Sequence, residues 1–375
     1  MPTASAKKLL ADLQKTFGEG KVMFASDIPV GPPISTGSLA LDYATGYGGF
    51  PANRVVEICG KEGTGKTTLA LTAMLNALEK FPKKTALFLD VEHKLTKDWL
   101  ETIVGGELME SRVLYLQPTS VEEATNMYRQ AVSTGEVCCT IFDSIGGAPT
   151  VRRNDDATVG HYGGNAQGVG EFARAAATHS SNYNCLTIGI NQTRADMSGY
   201  NQLNTPGGVA WKHACVLRVE LVRGREAEHL TIAGEKVPIG HNIFAKVRKN
   251  QVGAPGRTAM YWFFHIDTPE YGFGIDQLDE ITRLGIKTNV LQQRGGWYHH
   301  PALAPDAKGE HKVQGLPKLK DTIRADKALQ KTISAEVLAS LDTVADQVAP
   351  LSDPDAPVNE MSGMMRLYVD GGVAE

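Results

Sequence analysis

The chain contains 375 residues, of which 42% are hydrophobic and 21% charged, and its formal net charge is −4. This length suits one large α/β domain with small flanking domains, or two medium domains, and can bury a core without disulfide staples. Because dedicated nucleic-acid binders are usually basic, a pI of about 6.2 argues against a uniformly basic binding surface. Any nucleic-acid site in this chain must be local or switched on.

The cysteines and the lengths of the apolar runs indicate the cellular compartment of the protein. The cysteines are odd in number, lie in apolar, strand-like surroundings and lack the CxxC or Cys/His spacing of a metal site; they are Cys59, Cys138, Cys139, Cys185 and Cys215. We therefore predict buried, reduced thiols. The N-terminus has no signal-peptide apolar region, and no apolar run approaches the ~18 residues of a membrane span. We expect a cytoplasmic protein without membrane contact.

The first predicted element is a helix over residues 6–17. Apolar side chains recur there on one helical face, namely Leu9, Leu10, Leu13 and Phe17. Two glycines end the helix, and a short extended piece follows at 21–24. The proline-rich segment 27–33 is typical of a linker.

Strands and helices alternate after the linker, which predicts an α/β fold with a mainly parallel, wound sheet flanked by helices. Strands are predicted at 54–59, 85–91, 137–142, 185–190, 215–222, 242–248 and 259–264. Helices are predicted at 67–80, 121–132 and 166–182. A smaller α/β segment begins near Gly274. Beyond Leu341 seven acidic residues accompany one basic residue, so we expect a disordered tail.

A phosphate-binding motif lies between the first core strand and its helix. The run from Gly60 to Thr67 fits G-x-x-x-x-G-K-[ST], in which backbone N–H groups wrap phosphates, a lysine reaches the β- and γ-phosphates and a hydroxyl ligates Mg²⁺. A glycine turn with a surface lysine is the alternative. The predicted nucleotide site comprises Gly60, Lys61, Glu62, Gly63, Thr64, Gly65, Lys66, Thr67 and Thr68.

Two carboxylates end neighbouring predicted strands. Asp143 follows an apolar strand and suits a ligand that holds Mg²⁺ together with Thr67. Glu92 follows the strand before it and is the candidate that orients water against the γ-phosphate. The alternative for Glu92 is a solvated carboxylate at a strand end.

These motifs extend into a pattern that resembles the RecA family over roughly residues 5–335. Asp90–His93 resembles the segment that carries the family's catalytic glutamate, and Asn191-Gln192 ends a strand where the family has the glutamine that senses the γ-phosphate. Similar runs stand at 13–20, 34–42, 48–51, 54–58 and 295–298. The resemblance implies four parts: an oligomerisation helix and strand with linker (1–33), an ATPase core (34–270), a small α/β domain (271–340) and the acidic tail (341–375).

The resemblance also implies a helical filament with ATP bound between adjacent subunits. Glu92, Lys66 and Gln192 would be catalytic, and Trp99 would stack on adenine; its alternative is a half-buried helix aromatic. Lys249 matches the first of two lysines that reach the neighbouring subunit's γ-phosphate. The second position holds Gln251, a departure from the family. Arg248 could compensate, but strand alternation predicts that it points away from the face of its neighbour Lys249.

Two glycine-rich stretches match the loops with which the family holds DNA, at about 152–164 and 193–207. Arginines there would contact phosphates, and apolar or aromatic side chains would stack on bases. The predicted DNA-binding residues are Arg152, Arg153, His161, Tyr162, Arg194, Met197, Tyr200, Gly207 and Gly208. Gln167 stands where the family has an arginine. The alternative is a pair of surface loops with incidental arginines.

The resemblance thus implies a recombinase that binds single-stranded DNA, pairs it with a homologous duplex and uses ATP and Mg²⁺. The basic segment 308–331 suits a gateway for duplex DNA, with which the acidic tail would compete; the alternative is a solvated surface followed by a disordered end. Two rivals stay open: a hexameric, helicase-like ring motor, and an accessory protein that binds nucleotide without hydrolysing it. The altered loops and lost basic positions are typical of a phage-encoded version.

Overall fold

The computed structural model describes residues 2–29, 31–150, 164–193, 205–232, 234–268 and 271–345. The chain divides into two compact units, Met1–Pro32 and Pro33–Glu375. The second unit carries the predicted nucleotide site.

The N-terminal unit is built around one helix, α1 (Ala4–Phe17). The Thr3 hydroxyl accepts the Ala6 N–H at 3.2 Å and caps its start, and Gly18 ends it with a φ of 98°. Two 3₁₀ turns follow, Glu19–Lys21 and Ala25–Asp27. The predicted extended piece at 21–24 has extended backbone at Val22 and Phe24 but forms no strand.

A nine-stranded sheet runs through the second unit and confirms the predicted fold class. Its order is β11-β10-β9-β8-β3-β7-β6-β4-β5. Strands β8 through β5 in that order pair in parallel, and the remaining neighbours pair antiparallel. The bounds are β3 (Val55–Gly60), β4 (Thr85–Asp90), β5 (Val113–Leu116), β6 (Val137–Asp143), β7 (Leu186–Gln192), β8 (Leu217–Ile232), β9 (Glu235–Asn250), β10 (Thr258–Phe264) and β11 (Gly274–Ile275). A separate pair, β1 (Pro33–Ile34) and β2 (Phe50–Pro51), lies before it.

Helices cover both faces of this sheet and form two hydrophobic clusters. The larger cluster involves α2 (Leu39–Ala44), α3 (Lys66–Lys80) and α4 (Lys97–Val104), with α5 (Gly106–Ser111) packed at its border. The other involves α6 (Val121–Val132), α7 (Gly164–Tyr183) and α8 (Gly208–Ala214). A sheet covered on both faces explains the near-continuous apolar runs of β3, β4 and β6.

The structure departs from the predicted elements at several points. Strands β8 and β9 are about twice as long as predicted, because they continue as a hairpin whose charged outer half shows no hydrophobic alternation. Helices α4 and α5 and the edge strand β5 were missed, since two glycines at 105–106 break the helical pattern.

The C-terminal part contains three helices and a small sheet. They are α9 (Gln277–Lys287), α10 (Leu316–Ala325), α11 (Lys327–Ala345) and the strands β12 (Gln292–Arg294), β13 (Trp297–His299) and β14 (Lys312–Gln314). Ile281, Leu319 and Ile333 belong to the same hydrophobic cluster as α3. Helix α11 continues past residue 341, where the predicted tail begins, and Leu341 is only 2% exposed. Residues 346–375 lie outside the described residues, and the domain boundaries stay predictions.

All five cysteines are buried and unpaired, which confirms the predicted state of the thiols. Burial raises the pKa of the Cys138 thiol to about 11, so this group stays protonated and unreactive near neutral pH. Among the helices that the structure describes, none has the length and apolar character needed to span a membrane.

Glu280 on α9 predicts a pH dependence of stability. Its carboxylate is fully buried and accepts the Ser38 hydroxyl and the N–H groups of Leu39 and Ala40 at the start of α2. Burial raises its pKa from 4.5 to about 8, so the folded state holds this proton more tightly than the unfolded state. The contribution of Glu280 to stability should therefore be largest below pH 4.5 and fall by on the order of 5 kcal/mol as the pH rises from 4.5 through 8. In thermal melts from pH 6 to 9, the Glu280→Gln curve should be flatter than that of the wild type; parallel curves would contradict this expectation.

Candidate active site

The P-loop connects β3 to α3 and requires glycine at two points. A Cβ added to Gly60 would lie 2.5 Å from the Leu221 carbonyl oxygen, and one added to Gly65 would lie 2.8 Å from the Phe263 ring. Gly65 also has a φ of 78° as the N-cap of α3. The Thr64 hydroxyl donates to the Lys61 carbonyl at 2.8 Å. Since the first N–H groups of a helix lack intrahelical partners, the loop presents an anion site at the start of α3.

The threonine of the motif contacts the strand-end aspartate, and the lysine contacts the P-loop backbone. Lys66 Nζ donates to the Lys61 carbonyl at 2.8 Å, and burial lowers its pKa. Thr67 Oγ1 donates to Asp143 Oδ2 at 3.0 Å, as expected if both hold one cation. Burial, with Glu92 and Asp90 nearby, raises the pKa of Asp143 to about 6. These clustered hard oxygens fit Mg²⁺. Thr68 lies on α3 with its side chain only 5% exposed.

Glu92 is held in place rather than free in solvent. Its Oε1 accepts the Ser144 hydroxyl, its Oε2 pairs with Lys94, and its side chain is 14% exposed. A Cβ added to Gly147 would lie 2.4 Å from Oε1, so Gly147 leaves room for this carboxylate. This burial does not fit the alternative of a solvated strand-end carboxylate. Ser144, Lys94 and Gly147 were not singled out from the sequence.

Asp90 organises the turn that carries Glu92, and its role was also missed. Oδ1 accepts the N–H groups of Glu92 and His93 at 3.0 and 2.8 Å, and Oδ2 accepts those of Lys94 and Leu95. The Tyr115 hydroxyl donates to Oδ2 at 2.6 Å, and burial raises the pKa of this phenol to about 12, so it keeps the proton it donates. The sequence signal that could have indicated this role was an aspartate at the end of a strand, followed by several backbone N–H groups outside any predicted helix or strand.

Gln192 ends β7 beside the P-loop. It pairs in register with Gly60, and the next N–H, that of Thr193, donates to the Gly60 carbonyl at 3.3 Å. In the same sheet Asp143 pairs with Asp90 across β6 and β4. The predicted catalytic and metal-binding residues therefore lie along one carboxyl edge of the parallel strands, where such sheets bind ligands. The Gln192 side chain is exposed.

Trp99 and Lys249 are already engaged in contacts within the chain. Trp99, on α4, is half-buried against the larger hydrophobic cluster. Lys249 Nζ donates to the carbonyls of Lys212 and His213 at 2.9 and 3.2 Å, near the end of α8. Gln251 is exposed. Stacking of Trp99 on adenine and reach of Lys249 to a neighbouring nucleotide stay predictions.

The alternation argument about Arg248 was wrong, because β9 contains a bulge at this point. Arg218 pairs with Lys249 whereas Val219 pairs with Val247, which leaves Arg248 as the extra residue. Arg248 and Lys249 consequently project from the same face, and the Arg248 guanidinium pairs with Glu220 at 2.7 Å.

The two predicted DNA-binding stretches leave the sheet at the edge that holds the nucleotide site. One follows β6 and the other follows β7. Most of the predicted DNA-binding residues lie outside the described residues: Arg152, Arg153, His161, Tyr162, Arg194, Met197 and Tyr200. Gly207 and Gly208 have φ angles of 97° and 75° and begin α8, and Gln167 is exposed on α7. A Cβ added to Gly146 would lie 2.8 Å from Pro206, so the segments flanking the two stretches pack together.

A nucleotide-binding loop at the carboxyl edge of a mostly parallel sheet, with its threonine on a strand-end aspartate, defines a P-loop ATPase of the α/β class. The family model described as the RecA N-terminal domain matches residues 4–267, more than half of the chain. The chain therefore belongs to the RecA family, and it is in general terms a RecA-like recombinase. ATPases of this family use ATP with Mg²⁺.

Replacing Asp90 by asparagine should slow ATP hydrolysis without preventing nucleotide binding. Both carboxylate oxygens of Asp90 accept N–H groups, so the amide NH₂ of asparagine must face a donor and loosen the Glu92 turn. We expect kcat to fall about 10- to 100-fold with the ATP dissociation constant changed only a few-fold. Steady-state ATPase and nucleotide-binding assays measure both. The same change at the exposed Asp98 of α4 is the matched control, and equal kcat values for the two variants would contradict the role of Asp90.

Proposed function

We propose that this protein is a DNA-dependent ATPase that forms a helical filament on single-stranded DNA and exchanges that strand with a homologous duplex, in recombination and repair in the bacterial cytoplasm. The observation that most supports this proposal is that the strands leading to both predicted DNA-binding stretches, β6 and β7, end at the same edge of the sheet as the P-loop. Base pairing supplies the sequence readout in this reaction, so the protein needs only phosphate and stacking contacts.

The residues at this edge have distinct roles in ATP hydrolysis. The P-loop N–H groups and Lys66 bind the phosphates, and Thr67 and Asp143 hold Mg²⁺, which when bound neutralises charge that develops on the phosphates. Glu92, fixed by Ser144 and by the Asp90 turn, accepts a proton from the attacking water. Gln192 is one residue from Thr193, where the second DNA-binding stretch begins, and can report the γ-phosphate to it.

Self-association is supported by the surface of α1. This helix has no buried residue, and its apolar face exposes Leu9 and Phe17 by 60% and 58%. A solvent-exposed apolar stripe on a helix marks a protein–protein contact. A second copy of the chain is the partner that the family membership favours.

The proposal is tested by ATP hydrolysis with and without single-stranded DNA. We expect strong stimulation by DNA, because both predicted DNA-binding stretches follow strands that end at the proposed nucleotide site. ATP binding without any stimulation would contradict the proposal and favour the accessory, non-hydrolysing reading, which the Gln251 departure keeps open. Electron microscopy of the ATP-bound complex distinguishes the proposed filament from the helicase-like alternative, since a helicase-like motor would form closed rings.

The acidic end of the chain should weaken binding to duplex DNA. Six acidic residues and one basic residue follow Ala345, whereas α10 and α11 carry basic side chains that include Lys318, Arg324 and Lys331. A chain that ends at Ala345 keeps α11 and should bind duplex more tightly, by a factor that shrinks as salt rises. Fluorescence anisotropy at several salt concentrations measures this. Equal affinities of the two chains at low salt would count against competition by the tail.

A phage origin of the chain is also part of the proposal, and it rests on the altered loops alone.

A further inference from the structure

A buried carboxylate behind the P-loop takes no part in the steps above. Glu57 lies on β3, three residues before Gly60, and its exposed fraction is 0%. Its Oε1 accepts Asn191 Nδ2 at 2.8 Å and Trp211 Nε1 at 3.0 Å, and its Oε2 accepts Arg218 Nε. One charged partner and two neutral donors satisfy this buried charge, and the donors come from β7, α8 and β8.

Two of these donors also hold the end of the second DNA-binding stretch. Asn191 lies on β7 where the stretch begins, and its Nδ2 donates to the Pro206 carbonyl at 2.9 Å. Arg218 donates through Nη2 to Thr205 Oγ1 at 3.0 Å, and Thr205 is 3% exposed. Asn191, just before the stretch, is therefore hydrogen-bonded to its end at Pro206, and Asn191 and Arg218 connect the two ends to Glu57.

The third donor fixes the helix that follows the stretch. Trp211 is fully buried on α8, which begins at Gly208, directly after the stretch. Its ring lies over Gly189 of β7, where an added Cβ would be 2.1 Å from the indole. The hydrogen bond from the indole to Glu57 thus sets the position of α8 relative to β3.

We propose that Glu57 is a positioning residue that couples the P-loop to the second DNA-binding stretch. This inference rests on the proposed function. Glu57 touches neither ligand; it acts through β3, which continues into the P-loop, and through the three donors that hold Thr205, Pro206 and α8. A shift of β3 when nucleotide binds is transmitted to the base of the stretch, and DNA bound there acts back on β3 with the same coupling free energy.

Two substitutions separate this role from a purely structural one. In Glu57→Gln, either orientation of the amide turns its NH₂ toward groups that already donate, which opens the junction. In Trp211→Phe, one donor to Glu57 is lost and a smaller aromatic ring remains in the hydrophobic cluster. Glu280→Gln is the matched control, because Glu280 is equally buried and accepts three donors but joins α9 to α2.

The measurement is the factor by which a non-hydrolysable ATP analogue tightens single-stranded DNA binding by the full chain. We expect this factor to fall about tenfold in Glu57→Gln and about threefold in Trp211→Phe, while the dissociation constant of the analogue without DNA stays within about twofold of the wild type. Glu280→Gln should retain the wild-type factor.

Unchanged coupling in Trp211→Phe and Glu57→Gln, with both variants folded, would overturn the inference. Equal losses of nucleotide and DNA binding in Trp211→Phe, accompanied by a lower melting temperature, would also overturn it, since that is what a structural role produces. The wild-type chain reports on the proposed function separately: if the analogue fails to tighten its DNA binding, the proposed function itself is wrong.

Discussion

Replacing Glu92 by glutamine is expected to abolish ATP turnover while leaving ATP binding intact. The substitution keeps the size of the side chain and its contact with Gly147 but removes the group that accepts a proton from water. The atoms proposed to bind the phosphates belong to the P-loop, to Lys66 and to Thr67, and none of the hydrogen bonds of these side chains involves Glu92. We expect kcat to fall by about 10²- to 10⁴-fold, with the ATP dissociation constant within a few-fold of the wild-type value.

Glu101→Gln is the control for this experiment. Glu101 is an exposed carboxylate on α4, outside the predicted nucleotide site, so its substitution makes the same chemical change without removing a candidate base. Steady-state hydrolysis and equilibrium binding of a fluorescent nucleotide give the two constants. If Glu92→Gln retained wild-type turnover, the assignment of the base would be wrong; if it lost nucleotide binding as well, Glu92 would be needed to build the site.

Replacing Leu13 by aspartate on α1 is expected to abolish filament assembly while the second unit stays folded. Leu13 is 36% exposed on the apolar face of a helix without buried residues, so a charge there costs the isolated chain little. In an assembled filament the same face would be buried, and an unpaired carboxylate would be desolvated. We expect the loss of assembly to be at least about a hundredfold in the concentration required.

Ala11→Asp is the matched control, since Ala11 is exposed on the opposite, polar side of the same helix. Both variants add one negative charge and lower helix propensity by a similar amount. Light scattering and electron microscopy with ATP and single-stranded DNA measure assembly, and circular dichroism checks the fold. Filaments of Leu13→Asp at wild-type concentrations would show that α1 is not the assembly surface.

The nucleotide site could be predicted from the sequence because its residues are consecutive in the chain. The residues from Gly60 to Thr67 are consecutive, and their glycines are required by a backbone path that short-range geometry fixes. Asp143, Glu92 and Gln192 could be placed because parallel strands bring their carboxyl ends to one edge. Pattern and spacing thus predicted the fold class, the P-loop and the strand-end residues.

The tertiary structure decided how those residues are held. Spacing did not show that Ser144 donates to Glu92 or that a bulge turns Arg248 to the face of Lys249. Both depend on strand register, which is set by packing between distant segments.

Glu57 shows most clearly how contacts in the tertiary structure differ from what the sequence predicts. By sequence it is a charged residue within an apolar strand, a pattern that predicts no partner. Its donors lie 134 to 161 residues further along the chain. They converge only because β3 lies between β7 and β8 in the sheet. The sequence by itself determined which chemistry this protein carries; the order and register of its strands decided which side chains meet, because a buried charge finds its partners through space.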